Sequence, residues 1–367
     1  MKKIFIFHAT YGSGHKRAAE ALYEYMKKRF PEFDIRIFDS LDYVSPIYRM
    51  VTQKSYYWSV ERAQFIWKAI FSFVNRAKPG GFYYTCQQYI DLFFAGRLRK
   101  MLKKEQPDCL ISTHFHPGEI ACCLKEKGDI NSFLGCVITD YMAHSIWFRK
   151  NIDAYFAASE FVRDGLVKLG ADPGRIFITG ISIGEQFRTD PEIKDIKPYM
   201  KKRNILFIGD YVADRKFKAG IKKELEIYPD TGVFLLSRKI DKYVETEGDC
   251  IAKHNIFCSN LRTDVEKFYK AADIVVTKSG GLTTSELTAM GKPMVIYRPI
   301  PGQEEANCEE LLKRSAGIKI KKRNELVKKS FELAHDSKRL NQMSENSKRL
   351  GKANATFDIS EKIISRC

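Results

Sequence analysis

Short apolar runs alternate with helix-length amphipathic segments through most of the chain, and this alternation strongly limits the possible folds. The runs are rich in β-branched and aromatic residues, which favour strands. The segments between them are long enough for helices that cross between parallel strands. The pattern predicts an α/β protein with two doubly wound parallel sheets. The predicted strands cover residues 3–9, 33–39, 108–113, 133–139, 154–159, 175–180, 204–209, 232–237, 255–259, 273–277 and 293–297.

The length of 367 residues suits two domains, because single hydrophobic cores stop growing at about 250–300 residues. The least periodic segment, residues 181–204, contains two prolines and charges of both signs. We predict that it links a first domain over residues 1–180 to a second over residues 205–340. Beyond residue 323 the apolar positions follow helical spacing, which predicts helices and no further strand.

The formal net charge of +17 at pH 7 predicts attraction to a polyanion. Nucleic acid, an anionic membrane and phosphorylated small molecules all fit this charge, and nucleic acid fits least because no recognised binding module accompanies it. No apolar stretch reaches the roughly 20 residues that span a bilayer, and the N-terminus shows no signal-peptide pattern. We therefore expect a cytoplasmic protein whose nine cysteines, none of them in a CxxC pair, are reduced.

Residues 43–102 interrupt the alternation with a segment that is helical in pattern. Aromatic side chains are interleaved there with lysine and arginine, as in Trp58, Arg62, Trp67 and Lys68. Such a surface suits a membrane interface, where rings lie at headgroup depth and cations contact anionic lipid. The alternative is that the aromatic residues form ordinary core and the cations a solvated face.

The sequence GSGHKRAA at residues 12–19 follows the first predicted strand and opens a helix. In an open parallel sheet this loop faces ligands, and the free N–H groups of the helix favour an anion. Gly12 and Gly14 allow close backbone approach, but Arg17 takes the place of the third glycine of the dinucleotide-binding GxGxxG pattern. His15 is a candidate to accept a proton from a hydroxyl. Capping or simple packing is the alternative explanation of this histidine.

A second glycine-containing turn, Ser-Gly-Gly at residues 279–281, follows the strand predicted at residues 273–277. The helix that it opens carries Glu286. The glycines and the helix N–H groups suit a diphosphate, and the glutamate is placed to accept both hydroxyls of a ribose. After the next strand, Gln303 and Glu304 begin another helix. Their amide and carboxylate groups are able to form hydrogen bonds with sugar hydroxyls. The alternatives are that Glu286 favours the helix dipole and that Gln303 is a cap residue.

Six segments carry a family resemblance: GSGHKRAAEAL (12–22), PDCLISTHFHP (107–117), ITDYMAHSIWF (138–148), YFAASEFVRDGLVKLG (155–170), ITGISI (178–183) and TKSGGLTTSELTAMGKPMVIYRPIPGQEEAN (277–307). In this order they resemble the diacylglycerol glycosyltransferase and monogalactosyldiacylglycerol synthase family, which is related to the peptidoglycan GlcNAc-transferase that acts on a lipid-linked intermediate. The resemblance implies a GT-B fold with two Rossmann-like domains facing a cleft. It also implies that C-terminal helices, over residues 341–367, cross back to the first domain.

The resemblance implies roles for individual residues. His15 matches the family's glycine-loop histidine, a candidate general base. Asp140 and His144 match cleft-facing positions that are candidates for orienting the acceptor or the base. Gln303 and Glu304 match the positions that meet the hexose of the donor. The remaining candidates for donor binding are Gly14, Ser279, Gly280, Gly281, Leu282, Thr283 and Glu286.

The pair His114 and His116, followed by Glu119, resembles the spacing of some zinc sites. The family resemblance favours another interpretation, because the Thr-His pair of the family is matched by Thr113 and His114. GT-B enzymes of this kind hold no essential metal. We therefore predict no metal and no cofactor, with a UDP-sugar as the donor substrate.

The chain departs from the family pattern at two loops of the second domain. The family usually has a glycine-rich loop near the donor phosphates, whereas this chain reads LFIGDYVADRKFKAG (206–220), with Gly209 the only glycine before Gly220. The segment LLSRKIDK (235–242) likewise lacks an expected glycine. These differences concern the geometry of donor binding and leave the predicted fold unchanged.

We therefore expect an inverting glycosyltransferase that is peripheral on the cytoplasmic face of the cell membrane. The resemblance implies transfer of a hexose, glucose or galactose, from a UDP-sugar to diacylglycerol or a glycosyl-diacylglycerol, which yields membrane glycolipid. The anionic membrane surface would be the partner of the basic, aromatic segment. Two alternatives are a UDP-sugar-dependent transferase or epimerase with a non-lipid substrate, and a non-catalytic sensor of lipid or nucleotide-sugar.

Overall fold

Two six-stranded parallel sheets form the framework of the protein, in a computed structural model that describes residues 1–238, 256–261 and 264–367. The first sheet contains the strands β1 (Lys3–His8), β2 (Asp34–Asp39), β3 (Cys109–Ser112), β4 (Phe133–Val137), β5 (Ala154–Ala157) and β6 (Ile176–Ile178). Their order across the sheet is β2-β1-β3-β4-β5-β6, and Ile4 in β1 pairs with both Ile35 and Cys109. β1 and β3 are almost wholly buried because helices cover both faces of the sheet.

The helices of the first half are α1 (Ser13–Arg29), α2 (Pro46–Glu61), α3 (Gln64–Arg76), α4 (Phe82–Phe94), α5 (Gly96–Glu105), α6 (Phe115–Glu126) and α7 (Glu160–Lys168). Helices α2 to α5 form the segment between β2 and β3, which we call the insertion. Helix α1 buries Ala18 and Ala19 completely, and these small side chains allow the helix to lie close to the sheet. This close packing fixes the glycine turn that precedes α1 at the carboxyl edge of the sheet.

The second sheet contains β7 (Arg203–Ile208), β8 (Thr231–Leu236), β9 (Ile256–Ser259), β10 (Ile274–Thr277), β11 (Met294–Tyr297) and β12 (Gly317–Ile320), in the order β12-β11-β10-β7-β8-β9. The first five lie where the sequence predicts them, although residue 255 of one predicted strand is outside the described residues. β12 was not predicted, because Lys319 and the lysines after it break up a short apolar run at the edge of the sheet. The predicted class, α/β with two parallel sheets, is confirmed.

The helices of the second half are α8 (Arg215–Ile227), α9 (Val265–Ala271), α10 (Gly281–Ala289), α11 (Gln303–Lys313), α12 (Arg323–His335), α13 (Ser337–Leu350) and α14 (Ala355–Ile364). Helix α13 stays with the second sheet, where it packs on α10. Just after α13, the backbone at Gly351 lies so close to α10 that a Cβ there would be 2.3 Å from the carbonyl oxygen of Thr288. A glycine is therefore required at the point where the chain leaves the second domain.

Helix α14 packs against α1 on the first domain. Its side chains Ile359 and Ile363 are completely buried in one hydrophobic cluster with Ile4 and Leu22. The backbone N–H of Ile183 donates to the Thr356 hydroxyl at 3.0 Å, which ties the segment after β6 to the same helix. The predicted return of the C-terminal helices to the first domain thus holds for α14, whereas residues 341–350, which belong to α13, stay with the second domain.

The prediction that all cysteines are reduced is wrong for one pair. A disulfide joins Cys109, at the start of β3, to Cys367, and it links positions 258 residues apart. Such a separation leaves no local spacing in the sequence by which the pair could have been recognised. The described cysteines that remain thiols and are buried, as small apolar residues usually are, include Cys122, Cys123, Cys136 and Cys308.

Candidate active site in the interdomain cleft

The loop after β4 meets the N-terminal turns of α10 and α11 across the cleft between the two sheets. Gly281 packs so closely on the first domain that a Cβ there would lie 1.9 Å from the Thr139 carbonyl oxygen. The backbone N–H of Tyr141 donates to Asn307 Oδ1 at 2.8 Å, and the Tyr141 hydroxyl lies 3.0 Å from Ser285 Oγ. These contacts join the first-domain segment around Asp140 to α10 and α11 in one site.

His15 lies in the first turn of α1 at the carboxyl edge of the first sheet. Its Nδ1 is 2.8 Å from the Thr113 carbonyl oxygen and 2.8 Å from the Thr139 hydroxyl. Because a carbonyl oxygen only accepts, Nδ1 carries the ring proton and Nε2 keeps its lone pair. Burial lowers the pKa of His15 to about 4, and the bond to Thr113 opposes this shift. The ring is therefore neutral near pH 7 and presents Nε2 as a proton acceptor.

The turn before His15 leaves its backbone accessible. No atom lies within 4 Å of the place where a Cβ would stand at Gly12 or Gly14. Gly12 has a φ of 123°, a conformation that favours glycine. The predicted donor-binding residue Gly14 thus has open space beside it.

Asp140 lies on the first-domain side of the cleft, close to Glu304 and Asn307 of the second domain. Burial and, to a smaller extent, the carboxylate of Glu304 raise the pKa of Asp140 to about 7, although a hydrogen bond from the Asn307 side chain opposes this shift. The carboxyl group thus changes its protonation state close to neutral pH. A group with such a pKa is suited to proton transfer at an active site.

His144 holds together parts of the first domain. Its Nδ1 accepts a hydrogen bond from the backbone N–H of Ile146 at 3.1 Å, and its Nε2 donates to the Phe71 carbonyl oxygen of α3 at 3.1 Å. Burial lowers the pKa of His144 to about 4, so this ring is also neutral. Because both nitrogens are engaged within the protein, the contacts of His144 suit orientation of the loop rather than proton transfer.

The turn Ser279, Gly280 and Gly281, which is predicted to bind the donor and which we call the donor turn, is tied to the start of α11. The Ser279 hydroxyl donates to the Glu304 carbonyl oxygen at 2.7 Å, and the Asn307 side-chain amide donates to the Ser279 carbonyl oxygen at 2.9 Å. Helix α10 begins without a side-chain cap, which leaves the N–H groups of its first turn for an anion. Of the other candidates in this turn, Leu282 is buried and Thr283 is half-buried.

Glu286 is buried under the same turn and faces the first domain. Its Oε1 lies 2.7 Å from Arg17 Nη2 of α1, and the Tyr269 hydroxyl approaches Oε2 at 3.5 Å. Burial raises the pKa of Glu286 to about 7, and the positive charge of Arg17 opposes this shift. The carboxylate predicted to bind a ribose is thus already held by one cation across the cleft.

Gln303 and Glu304 form the first turn of α11. Glu304 accepts a hydrogen bond from the backbone N–H of Ile300 at 2.6 Å, which fixes the loop before the helix. The other carboxylate oxygen lies near Gly280 of the donor turn. Gln303 is in polar contact with the Tyr56 hydroxyl of the insertion. The predicted hexose positions therefore lie between the donor turn and α2.

The insertion places its predicted membrane residues on two different sides. Trp58 is 52% exposed and Arg62 is exposed, whereas Trp67 is half-buried and donates through Nε1 to the Pro301 carbonyl oxygen at 3.1 Å. Lys68 Nζ lies 3.4 Å from a carboxylate oxygen of Glu305. Two of the four residues thus contact the second domain. Among the described residues, no helix has the length and apolar character needed to cross a bilayer.

His114 and His116 make contacts within the protein. His114 Nδ1 accepts from the backbone N–H of His116 at 3.2 Å, and its ring stacks on Tyr11. Glu119 forms a buried ion pair with Arg149, at 2.7 Å. Within the described part of the chain, no three His, Cys, Asp or Glu side chains are arranged to hold a metal ion. The absence of an essential metal remains a prediction.

An aromatic side chain packs against the backbone of the glycine-poor loop after β7. A Cβ at Gly209, where φ is 147°, would lie 2.6 Å from the Tyr211 ring, and the Tyr211 hydroxyl donates to the Val276 carbonyl oxygen at 2.9 Å. Asp210 pairs with Arg238 at 2.7 Å across the ends of β7 and β8. The segment 235–242 is described only as far as residue 238. The loop is therefore well packed without the family's additional glycines.

Four residues of the site were not singled out from the sequence for a role there. Thr139 and Asn307 belong to the matching segments but carry no pattern of their own. Arg17 had one signal, because it replaces the third glycine of a phosphate-binding pattern. Tyr56 stands among many aromatic residues of the insertion, and only the packing of α2 on the cleft distinguishes it.

The two parallel-sheet domains, with a phosphate-suited helix start on one side of the cleft and a neutral histidine on the other, have the architecture of the GT-B class. Residues 15–183 match the family Monogalactosyldiacylglycerol (MGDG) synthase, and residues 214–361 match the Glycosyltransferase family 28 C-terminal domain. These two matches confirm the family resemblance seen in the motifs and support a glycosyltransferase.

Individual proteins are similar to the chain over its full length. A processive diacylglycerol beta-glucosyltransferase of Bacillus licheniformis is 28% identical over 378 residues, which cover 100% of this chain and 95% of the relative. MurG of Acinetobacter baumannii has the same fold, with a TM-score of 0.62, 14% identity and 100% of both chains covered. A UDP-GlcNAc 2-epimerase from Neisseria meningitidis, solved with UDP-GlcNAc, gives a TM-score of 0.63 at 13% identity, with 100% of both chains covered.

Proposed function

We propose that the protein transfers a hexose from a UDP-sugar to the hydroxyl of diacylglycerol or of a glycosyl-diacylglycerol, with inversion at the anomeric carbon. The observation that carries this proposal is the state of His15: a neutral ring whose Nδ1–H is held by Thr113 and whose Nε2 lone pair is available. The acceptor oxygen forms a bond to the anomeric carbon, and the bond from that carbon to UDP breaks. The hydroxyl proton passes to His15, and the electron pair leaves with the diphosphate.

The second domain supplies the donor site in this proposal. The uncapped first turn of α10 at Gly280 and Gly281 stabilises the negative charge that develops on the diphosphate. Glu286 accepts the ribose hydroxyls, and Gln303 with Glu304 binds the hexose. Asp140, whose pKa is raised to about 7, orients the acceptor hydroxyl or the base. We propose that no metal or further cofactor is required, because the free N–H groups at the start of α10 bind the diphosphate.

The insertion supplies the contact with the membrane. Large apolar side chains on its outer side are strongly exposed: Trp58, Phe65, Phe73, Phe82, Tyr89 and Phe93. An exposed apolar surface of this kind suits contact with a membrane, and the net charge of +17 favours a membrane with anionic lipids. We therefore propose that the protein binds peripherally to the cytoplasmic face of the cell membrane, where the acceptor lipid lies. The name of the Bacillus licheniformis relative supports a diacylglycerol acceptor and a glucosyl donor.

Lipid mass spectrometry tests the proposal. Purified protein is incubated with liposomes that contain diacylglycerol and an anionic phospholipid, together with UDP-glucose or UDP-galactose. We expect a hexosyl-diacylglycerol, and β-configured product from an α-linked donor would establish inversion. UDP-sugar binding without any lipid product would contradict the proposal and favour a non-lipid substrate or a sensor. Conversion of the nucleotide-sugar itself, without transfer, would favour an epimerase, a class that shares this fold.

A further inference from the structure

The insertion has an inner side that faces the cleft. Tyr56 of α2 and Trp67 of α3 pack edge to face with ring centroids 5.3 Å apart, and Phe71 lies one turn further along α3, 6.1 Å from Trp67. All three rings are half-buried, whereas Trp58 and Phe65 on the outer side are exposed. We call Tyr56, Trp67 and Phe71 the aromatic wall.

The aromatic wall holds the loop that leads to the proposed hexose residues. The indole N–H of Trp67 donates to the Pro301 carbonyl oxygen at 3.1 Å. The Phe71 ring fills the space beside Gly302, where φ is 88° and a Cβ would lie 2.6 Å from a ring carbon. A hydrogen bond and a close ring contact therefore fix two consecutive residues, directly before Gln303.

The Tyr56 hydroxyl lies among the polar groups of the site. It is in polar contact with the Gln303 side chain, and the carboxylates of Glu304 and Asp140 are near enough to act on it. Burial raises the pKa of Tyr56, the two carboxylates add to this rise, and the contact with Gln303 opposes it. The hydroxyl is thus a protonated donor at neutral pH. It stands between the proposed hexose side and the proposed acceptor side of the cleft.

We propose that the aromatic wall forms one side of the hexose subsite, with Tyr56 contacting the sugar and Trp67 positioning the loop that carries Gln303. The Tyr56 hydroxyl and the Gln303 side chain are polar groups close to each other, so a sugar hydroxyl bound there has a hydrogen-bond partner on each of them. The rings provide apolar surface for the C–H groups of the sugar. This inference rests on the proposed function, because it takes Gln303 as a hexose residue.

The substitution Tyr56→Phe tests the contact with the sugar, because it removes the hydroxyl and keeps the ring. Calorimetry measures the affinity of the variant for UDP, UDP-glucose and UDP-galactose. We expect the Kd of the UDP-hexose that is the donor to rise about tenfold, with the Kd of UDP unchanged, since UDP carries no hexose. Tyr57→Phe is the matched control, because the neighbouring ring is exposed. It should leave all three affinities unchanged.

The substitution Trp67→Phe tests the positioning role, because it removes the N–H that binds Pro301. We expect a severalfold higher KM for the UDP-hexose with little change in kcat. Tyr57→Phe, at an exposed ring of α2 for which we propose no role in binding, should change neither constant.

Two results would overturn the inference. One is a wild-type affinity for the UDP-hexose in Tyr56→Phe, and the other is an equal loss of UDP and UDP-hexose affinity. The proposed function fails in a different way, namely if the wild-type protein binds a UDP-hexose but forms no hexosyl lipid. The calorimetric comparison still decides the role of Tyr56 in that case. Circular dichroism and the thermal unfolding midpoint exclude a folding defect in each variant.

Discussion

Arg17 of α1 and Glu286 of α10 form an ion pair across the cleft, with Nη2 2.7 Å from Oε1. The Glu286 side chain is 1% exposed, and the groups that face it are Arg17 from the first domain and Tyr269 and Glu266 from α9. Only Arg17 among these carries a positive charge. The pair therefore connects the two domains. It also stabilises the ionised form of the Glu286 carboxylate, which we propose accepts hydrogen bonds from the ribose hydroxyls.

Replacement of Arg17 by methionine is expected to make UDP binding more sensitive to acid. Glu286 has a pKa raised to about 7 by burial, and removal of the opposing charge of Arg17 raises it further. Only the ionised carboxylate accepts both ribose hydroxyls, so affinity falls as pH falls through this pKa. In the variant the fall begins at a higher pH. Calorimetric titration with UDP between pH 6 and 9 measures the difference.

Lys16→Met provides the control for this experiment. Lys16 is the neighbouring cation on α1, and it pairs with Glu20 of the same helix at 3.6 Å rather than with the second domain. The dependence of UDP affinity on pH in the Lys16→Met variant should match that of the wild type. Tighter UDP binding by Arg17→Met at every pH would show instead that Arg17 competes with the ribose for the carboxylate.

Replacement of His15 by glutamine is expected to reduce turnover without loss of donor binding. Glutamine keeps an N–H for the Thr113 carbonyl oxygen but supplies no proton acceptor at the position of Nε2. General-base catalysis typically contributes about 100-fold to 10,000-fold, and kcat should fall within this range. The Kd of the UDP-hexose should stay within about twofold by calorimetry, since the side chain binds no part of the donor in our mechanism. A kcat close to that of the wild type would remove His15 from the mechanism.

The sequence predicts the framework well because its signals are local. Buried strands of a parallel sheet are continuous apolar runs, and eleven such runs became strands. The exception, β12, lies at an edge of the second sheet, where only half of the short strand is buried and lysine follows isoleucine. A run of this kind looks the same as the start of a polar loop.

The site was less predictable because its decisive contacts are not local. The partners Arg17 and Glu286 are 269 residues apart, and His15 meets Thr139 from 124 residues away. The motifs placed the candidate residues near the cleft, but no pattern tells which side of the insertion packs on it. Trp58 and Trp67 have similar neighbours in the sequence. Only the packing of α3 on the loop at Pro301 and Gly302 shows that Trp67 faces the second domain and Trp58 does not.

Membrane association is expected to depend on the exposed side of the insertion. The double substitution of Trp58 and Phe65 by alanine should weaken partitioning onto anionic liposomes about tenfold or more, because each large apolar side chain contributes roughly 1.5–3 kcal/mol on full burial. Trp67→Ala should leave partitioning nearly unchanged, since this ring packs on the second domain. Liposome co-sedimentation measures both variants. Equal losses in the two would mean that the insertion reorganises on the membrane.

The return of α14 to the first domain is expected to contribute strongly to its stability. Ile359→Ala should lower the free energy of unfolding by about 2–5 kcal/mol, because Ile359 is completely buried between α1 and the first sheet. Phe357→Ala on the same helix is the control, since this ring is 41% exposed and its loss should have a much smaller effect. All three tryptophans, Trp58, Trp67 and Trp147, belong to the first domain, so fluorescence-monitored denaturation reports on it directly. An unchanged midpoint for Ile359→Ala would mean that the first domain is stable without this helix.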